Sequence, residues 1–307
     1  MELEFKEEFI QRYKKLLGED YDDFIEYSQK YINKAIRVNT LKISIKELKE
    51  RLEDTWELTP VPWCKEGFWI KHRTEERYDI GNLPEHQLGY IYVQDPASMI
   101  PPVVLEPKPG ELVLDVCAAP GSKSSQMAQY MENEGFLISN DANGKRLAAL
   151  GINLQRLGIH NALITRMYGN QIKGEFDKIL LDAPCSGTGT IRRNYKIAKM
   201  YHFGAIKSMQ NTQLGLIRHC FKLLKKGGTL VYSTCTLEPE ENEEVVSKLL
   251  QENEDADLQD INLDINKTKP ILEFEGKKYD PRVDKCLRIN PQDNDTEGFF
   301  VAKIVKK

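Results

Sequence analysis

The stretch ELVLDVCAAPGSKSSQMAQYM (111–131) decides how this chain is read. A short apolar run ends on Asp115-Val-Cys117, turns through Ala118-Ala-Pro-Gly121, and continues as a helical segment to about residue 131. An apolar run this short, bounded by turn residues, reads as a buried strand. The same rhythm recurs downstream. FLISND (136–141) is a second strand, and GKRLAALGINLQRLG (144–158) a helix stopped by Gly158. ALITRM (162–167) and FDKILLDAP (176–184) are the third and fourth strands. A helix over 205–226, ended by Gly227-Gly228, leads into a fifth strand, GTLVYSTC (228–235), and PEENEEVVSKLLQEN (239–253) is again helical. ENEDADLQDINLD (252–264) reads as a solvated loop, and GFFVAKIV (298–305) as a late strand at the sheet's edge. Strands alternating with helices predict an α/β fold, a doubly wound, largely parallel sheet covered on both faces.

The residues upstream have a different texture. Phe5, Phe9, Tyr13, Leu16 and Leu17 recur at helical spacing up to Gly18, and Tyr21, Phe24, Ile25, Tyr31 and Ile32 continue a second stripe. AIRVNTLKI (35–43) reads as a strand, and SIKELKERLE (44–53) as a helix whose Ser44 and Glu47 form a capping box. WELTPVPWCKEGFWI (56–70) suggests strands and turns. The expected division is a small N-terminal α+β domain over 1–92 and a larger domain over 93–307, as suits a chain of 307 residues.

Composition narrows the function classes. Apolar residues make up 40% and charged residues 29%, enough for an ordinary core. No apolar run reaches the roughly 18 residues of a membrane span, and the start MELEFKEEF has no apolar signal region, so a cytoplasmic protein without a membrane partner is expected. The net charge of −4 hides an asymmetry, since residues 145–232 carry +12 inside an otherwise acidic chain. Local field governs attraction to phosphates, so a basic face and a fold that disperses it both remain open. The six cysteines form no C-x-x-C pair and have no zinc-like histidine spacing, which leaves neither a metal site nor a disulfide framework in prospect.

In doubly wound sheets the ligand lies beyond the carboxyl ends of the strands. Three strand ends carry unusual chemistry here: the 115–123 loop, Asp182-Ala-Pro-Cys185-Ser-Gly187, and Ser233-Thr-Cys235. In the first, Gly121 permits close backbone approach, Ser122 can cap the following helix, and Lys123 adds charge, a setting for an anionic group. Neither a Walker loop nor a G-x-G-x-x-G fingerprint is present, which disfavours ATP and NAD. Asp141, at the next strand end, is placed either to accept ribose hydroxyls or to start the turn at Asn143-Gly144. A nucleoside with a carboxylate, its anion at the loop and its ribose at Asp141, fits S-adenosylmethionine.

Cys185 and Cys235 are each, alone, ordinary strand-end filler. Beside a methyl donor they match a specific need. Cytosine C5 is too weakly nucleophilic to accept a methyl group until a thiolate adds to C6. Asp182 is placed as the acid near N3, and Cys185 as a second group for product release.

DVCAAPGSK, LDAPCSGTG and YSTCTLEPEENE resemble the signature motifs of the RNA (cytosine-5) methyltransferase family. RVNTLK (37–42), QDPASM (94–99) and EGFFVAKI (297–304) are similar to further family motifs in the family's order, so the resemblance covers about residues 35–305. It implies a class I methyltransferase, Rossmann-like fold, S-adenosylmethionine as cofactor, Cys235 as nucleophile, and Cys185 as the residue assisting release. It carries the cofactor positions to Cys117, Ala118, Ala119, Pro120, Gly121, Ser122 and Lys123, and to Asp141, Arg146 and Asp182. The sequence departs where the family carries an Asp-Gly that reaches the adenine. Here the stretch is Arg166-Met-Tyr-Gly-Asn170, so Tyr168 or Asn170 must serve instead.

Arg192, Arg193, Lys196 and Lys199, interleaved with Asn194 and Tyr195, are candidates to hold flanking phosphates and stack on an unpaired base, or to form a solvated face. The expectation is therefore a monomeric RNA cytosine-5 methyltransferase, acting on tRNA, with rRNA as the rival substrate. A non-catalytic RNA-binding protein on the same scaffold is the alternative class, which the paired thiols beside Asp182 argue against. Methylation of a protein or small molecule explains neither the thiols nor the basic middle.

Overall fold

The computed structural model describes residues 5–74 and 79–307, and the acidic start at 1–4 lies outside them. The N-terminal aromatic stripe forms α1 (Glu7–Leu17) and α2 (Tyr21–Gln29). α2 stops before Tyr31 and Ile32, which the periodicity had assigned to it. Phe9, Tyr13 and Phe24 are fully buried, but against Ile191, Tyr201, Ile206 and Leu237, side chains from much later in the sequence. β1 (Ala35–Val38) is shorter than AIRVNTLKI suggests, because the Asn39 carbonyl accepts from Lys42 and Ile43 and turns the chain. α3 (Ile45–Leu52) begins at the expected Ser44–Glu47 capping box. β2 (Trp56–Pro60), β3 (Gly67–His72), the short α4 (Pro84–Gln87) and β4 (Ile91–Val93) follow. The four strands form an antiparallel sheet in the order β2-β3-β1-β4, packed through Ile36, Val38, Leu48, Trp56 and Phe68.

The second unit opens with α5 (Pro96–Leu105), a helix the sequence reading missed because Pro101 and Pro102 sit inside it. β5 (Leu112–Asp115), α6 (Ser122–Tyr130), β6 (Phe136–Asn140), α7 (Gly144–Leu157), β7 (Ala162–Thr165) and β8 (Phe176–Asp182) come next. They are followed by α8 (Lys196–Met200), α9 (Phe203–Lys222), β9 (Leu224–Thr234), α10 (Glu243–Glu252) and β10 (Ala256–Gln259). A small hairpin, β11 (Glu273–Phe274) and β12 (Lys277–Lys278), precedes β13 (Leu287–Ile289), α11 (Pro291–Asn294) and β14 (Phe299–Lys306). The main sheet runs β10-β14-β9-β8-β5-β6-β7, with β13 also paired to β14. The strands from β9 to β7 are parallel, and β14 is antiparallel to β9.

Three boundaries differ from the sequence reading. Gly227-Gly228 lies inside β9 rather than at a helix end, and the extra residues are absorbed where β9 slips against β8 between Phe176 and Lys178. β14 is not the edge strand, because β10 pairs outside it. The supposed solvated loop therefore contains a strand, since Ala256 and Leu258 alternate inward among acidic neighbours and are buried.

Strand alternation divides the core between the two faces. Ile179, Leu181, Leu230 and Tyr232 pack with Ile217 and Val246 of α9 and α10. Leu180 and Val231 face the other way, toward Met99, Ile100 and Met127 of α5 and α6. The chain leaves β5 toward β6 and returns on its other side as β8, so the switch in strand order lies between Asp115 and Asp182. No helix among the described residues is long and apolar enough to cross a membrane.

Candidate active site

A cavity of about 360 Å³ opens at that switch point. Its walls include Cys117, Ala118, Ala119, Pro120, Ser122 and Lys123 from the first loop, with Asp115, Asp182 and Cys235 from the three strand ends. The convergence expected from the motifs is present in space. Arg146 also lines the cavity, whereas Gly121 and Asp141 stand just behind it. A larger cleft, about 920 Å³, lies elsewhere, around Trp63, Tyr130 and Leu263. Its one thiol, Cys64, is pushed up to about 12 by burial, then by Glu66, so the chemistry belongs to the smaller cavity.

Local physics shapes the first loop. Gly121 has φ +105, and a Cβ there would meet Leu150 Cδ1 at 3.0 Å, so the position needs glycine on both counts. Gly121, not Ser122, holds the cap position of α6, and no side chain caps the helix. The first-turn N–H groups, which a helix cannot satisfy itself, are thus left at the cavity's edge. Asp141 serves two masters. Its Oδ1 accepts from Asn143 N (2.8 Å), the turn role, and its Oδ2 accepts from Ala119 N (3.2 Å), which ties the second strand end to the loop. Arg146 bridges Asp141 (3.2 Å) and the Ala119 carbonyl, and it rather than the carboxylate meets the cavity. Tyr168 is 69% exposed, and neither it nor Asn170 lines the cavity.

Charges inside the cavity are paired unevenly. Lys123 Nζ lies 2.7 Å from Asp182 Oδ2 and donates to Ser98 Oγ at 2.9 Å. Burial opposes its charge, but Asp182 outweighs burial and holds the ammonium above its ordinary value. Asp182 Oδ1 accepts from Ser233 Oγ at 2.8 Å. Asp115 is nearly inaccessible. Ser124 Oγ donates to its Oδ2 at 2.6 Å, and Oδ1 is buried without a protein partner. Burial pushes this carboxyl up to about 7; Ser124's hydrogen bond resists the shift and the Asp182 charge adds to it.

The two sulfurs meet. Cys185 Sγ and Cys235 Sγ are 3.4 Å apart, both as free thiols, and Cys235 lines the cavity. The hydrogen bond with Cys235, then burial, raises Cys185 well above the usual thiol value, so Cys185 keeps its proton. Behind the sulfurs runs a chain of hydroxyls. Ser186 Oγ and Thr188 Oγ1 lie 2.8 and 2.9 Å from Thr236 Oγ1. Glu241 closes this chain by accepting from Ser186 N (3.0 Å) and Gln213 Nε2 (2.7 Å), and burial pushes it up to about 7.

Residues outside the three strand-end motifs hold this arrangement. Arg37 of β1, fully buried, reaches across to the start of α6, donating to the Ser122 carbonyl (2.8 Å) and Ser125 Oγ (2.8 Å). Arg12 of α1 grips the segment after Cys235 through Glu238 (2.8 Å) and Glu240 (2.5 Å), and Tyr13 OH donates to Glu238 at 2.8 Å. The N-terminal elements thus brace both the first loop and the Cys235 loop. Asp95, Arg193, Glu297 and Phe299 complete the cavity wall. Asp95, Glu297 and Phe299 fall within QDPASM and EGFF, and Arg193 within the basic run after Asp182, but no catalytic role follows from these stretches alone. Among the expected phosphate contacts, Arg192 is 3% exposed and structural, held by Asp295 (2.7 Å) and the Tyr31 and Thr296 carbonyls. Arg193 lines the cavity, and Asn194, Tyr195, Lys196 and Lys199, which follow it in the chain, are exposed.

The profile of the 16S rRNA methyltransferase RsmB/F family matches residues 102–305, and that of the N-terminal domain of 16S rRNA methyltransferase RsmF matches residues 5–96. The chain is 48% identical to a tRNA (cytosine(49)-C(5))-methyltransferase of Pyrococcus abyssi, covering 99% of both chains. It is 43% identical to ribosomal RNA small subunit methyltransferase F of Vibrio cholerae over 92% of this chain, but spans only 60% of that relative's length. A methyltransferase homologue from Pyrococcus horikoshii superposes with a TM-score of 0.89 at 39% identity, over 99% of this chain and 96% of that one. NSun6 from the same organism, solved with the S-adenosylmethionine analogue SFG, superposes with a TM-score of 0.86 at 25% identity over 99% of both chains.

Proposed function

This chain belongs to the RsmB/F family of RNA cytosine-5 methyltransferases, and on that premise we propose that it methylates C5 of a cytosine in tRNA through a covalent bond between Cys235 and C6 of the base. The observation that carries the reading is the 3.4 Å contact between Cys185 and Cys235 at a cavity whose opposite wall is the 117–123 loop. tRNA is favoured over rRNA because the tRNA relative is the more similar of the two, 48% identical over 99% of both chains, whereas the chain is 43% identical to the rRNA relative and spans 60% of its length.

The residues present suit S-adenosylmethionine. Asp115 Oδ1, buried and without a donor, suits the amino group of the methionine part. The uncapped start of α6 suits its carboxylate. Asp141 suits the ribose once Arg146 swings from it, and Cys117 to Pro120 supply the loop wall. When bound, the cofactor supplies an electrophilic methyl group. The chain does the rest. Lys123 and Cys235 line the same cavity, and the Cys235 sulfur attacks C6 as the nucleophile. Asp182, fixed by Lys123 and Ser233, contacts the polar edge of the base. Cys185, next to the bonded sulfur, assists release once C5 has lost its proton. The target base leaves its stack to reach the cavity, and the unit over 1–92 adds RNA surface while bracing the site.

The test combines methyl transfer with adduct detection. C235A is expected to lose methyl transfer while retaining cofactor binding, and C185A to accumulate an RNA–protein adduct that survives denaturation. Normal turnover by C235A refutes the nucleophile assignment. Bisulfite sequencing of RNA from cells with and without the gene identifies the substrate, and loss of a mark only in rRNA overturns the tRNA reading.

A further inference from the structure

We propose that Glu297 is the acid that protonates N3 of the target cytosine, and that Asp182 instead accepts a hydrogen bond from the base's exocyclic amino group. The inference rests on the covalent reading above and divides the work between two carboxyls that share one cavity.

Asp182 is already committed as an acceptor. Lys123 lies 2.7 Å from one of its oxygens and the Ser233 hydroxyl donates to the other at 2.8 Å. A side chain held by a donor on each oxygen is set to accept hydrogen bonds. The cytosine group that donates is the 4-amino group, and a carboxylate is the side chain that reads it.

Glu297 stands in the opposite situation. It is 3% exposed and lines the cavity with Cys235 and Phe299. Its position beside the nucleophile is held by backbone. Gly298 N donates to the Gly189 carbonyl (2.9 Å), and Gly189 N donates to the Cys235 carbonyl (3.0 Å). The charged groups facing Glu297 are Asp95 at the start of α5, Arg192 and Arg193 after β8, and Lys123 of α6. Asp95 Oδ1 accepts from Ala97 N at 2.9 Å, and burial raises this carboxyl as well. Arg193 Nε comes within 3.0 Å of Glu297 Oε1, yet its guanidinium is 64% exposed and Oε1 has no aligned hydrogen bond. Burial, then the Asp95 charge, pushes Glu297 up to about 8, against the pull of Arg193, Lys123 and Arg192. A carboxyl kept neutral near pH 7 is a donor.

The proton count closes. As the Cys235 sulfur bonds to C6, the C5–C6 π pair moves through C4 onto N3, which takes the proton from Glu297 and leaves its carboxylate. C5 is then the electron-rich carbon of an enamine. After C5 gains its methyl group, N3 returns the proton to Glu297. A water molecule admitted to the cavity then takes the C5 proton, the C5–H pair becomes the C5–C6 π bond, and the sulfur leaves as thiolate.

The experiment is single-turnover methyl transfer to RNA from pH 6 to 9.5, with adduct formation followed in a C185A background. The wild-type rate is expected to fall above about pH 8, where Glu297 gives up its proton. E297Q is expected to lose that descending limb and to react about 100-fold more slowly, the scale of one general acid. Its adduct should slow in parallel, with cofactor affinity unchanged. E297D restores the limb and part of the rate, and D182N keeps the limb while losing preference for cytosine over uracil. Wild-type rate or an intact limb in E297Q overturns the proposal, as does loss of the limb in D182N. Should E297Q fail to fold, an E297D variant that reacts at full rate without the descending limb overturns it as well. Absence of 5-methylcytosine with the wild-type enzyme refutes the covalent reading itself, a distinct outcome.

Discussion

Replacing Arg12 with Met tests whether the N-terminal helix holds the nucleophile's loop. The guanidinium is buried, 2.8 Å from Glu238 and 2.5 Å from Glu240, and Glu238 is itself wholly inaccessible. Methionine preserves most of the stem's packing but removes the positive charge. Glu238 is then left with one donor, Tyr13 OH at 2.8 Å. Removing one partner of a buried ion pair costs about 3–5 kcal/mol, because the remaining charge stays desolvated. That is a large share of the roughly 5–15 kcal/mol that holds a domain together. Guanidinium chloride unfolding is the assay, read as a lower midpoint at unchanged slope. Adding Glu238→Gln and Glu240→Gln to Arg12→Met should recover much of the loss, since no uncompensated charge remains. Glu238 is three residues from Cys235, so R12M should also slow adduct formation in whatever protein stays folded. A loss under about 1 kcal/mol, or no recovery in the triple variant, refutes the clamp.

Further outcomes follow from the same geometry. Gly189→Ala should abolish adduct formation, because a Cβ there would meet the Gly298 carbonyl at 2.3 Å and the Cys235 carbonyl at 2.9 Å; retained activity would show that the backbone stitch is dispensable. Glu241 is raised by burial to about 7 against an ordinary 4.5, so the folded state holds its proton more tightly, and its contribution to stability is lost as pH rises through about 7. Melting temperatures from pH 5 to 8 should therefore decline less steeply in Glu241→Gln than in the wild type, and equal slopes would contradict this. RNA affinity should fall with salt, and Lys196→Ala with Lys199→Ala should flatten the log–log slope by about 1.4. Arg192→Ala should instead destabilise the fold, because its guanidinium is spent on Asp295 and backbone carbonyls.

The sequence alone determined the alternating strands and helices, the loop at 117–123, and the convergence of Asp182, Cys185 and Cys235 at one end of the sheet. Each of these depends on local physics: apolar periodicity, a glycine that must take a left-handed turn, and the rule that parallel strands present their carboxyl ends together. The buried strand Ala256–Gln259 escaped because two inward residues among acids make a weak alternation. What only the tertiary structure decided is how charged residues are used. In sequence, Arg37 and Glu297 only open motifs, Arg192 reads as a phosphate contact, and Arg12 carries no signal. Burial turns them into a strut behind the first loop, a clamp on the Cys235 segment, a structural anchor, and a neutral acid. A charge acquires its function from what desolvates it and what lies within 3 Å, and residues dozens to hundreds of positions away supply both.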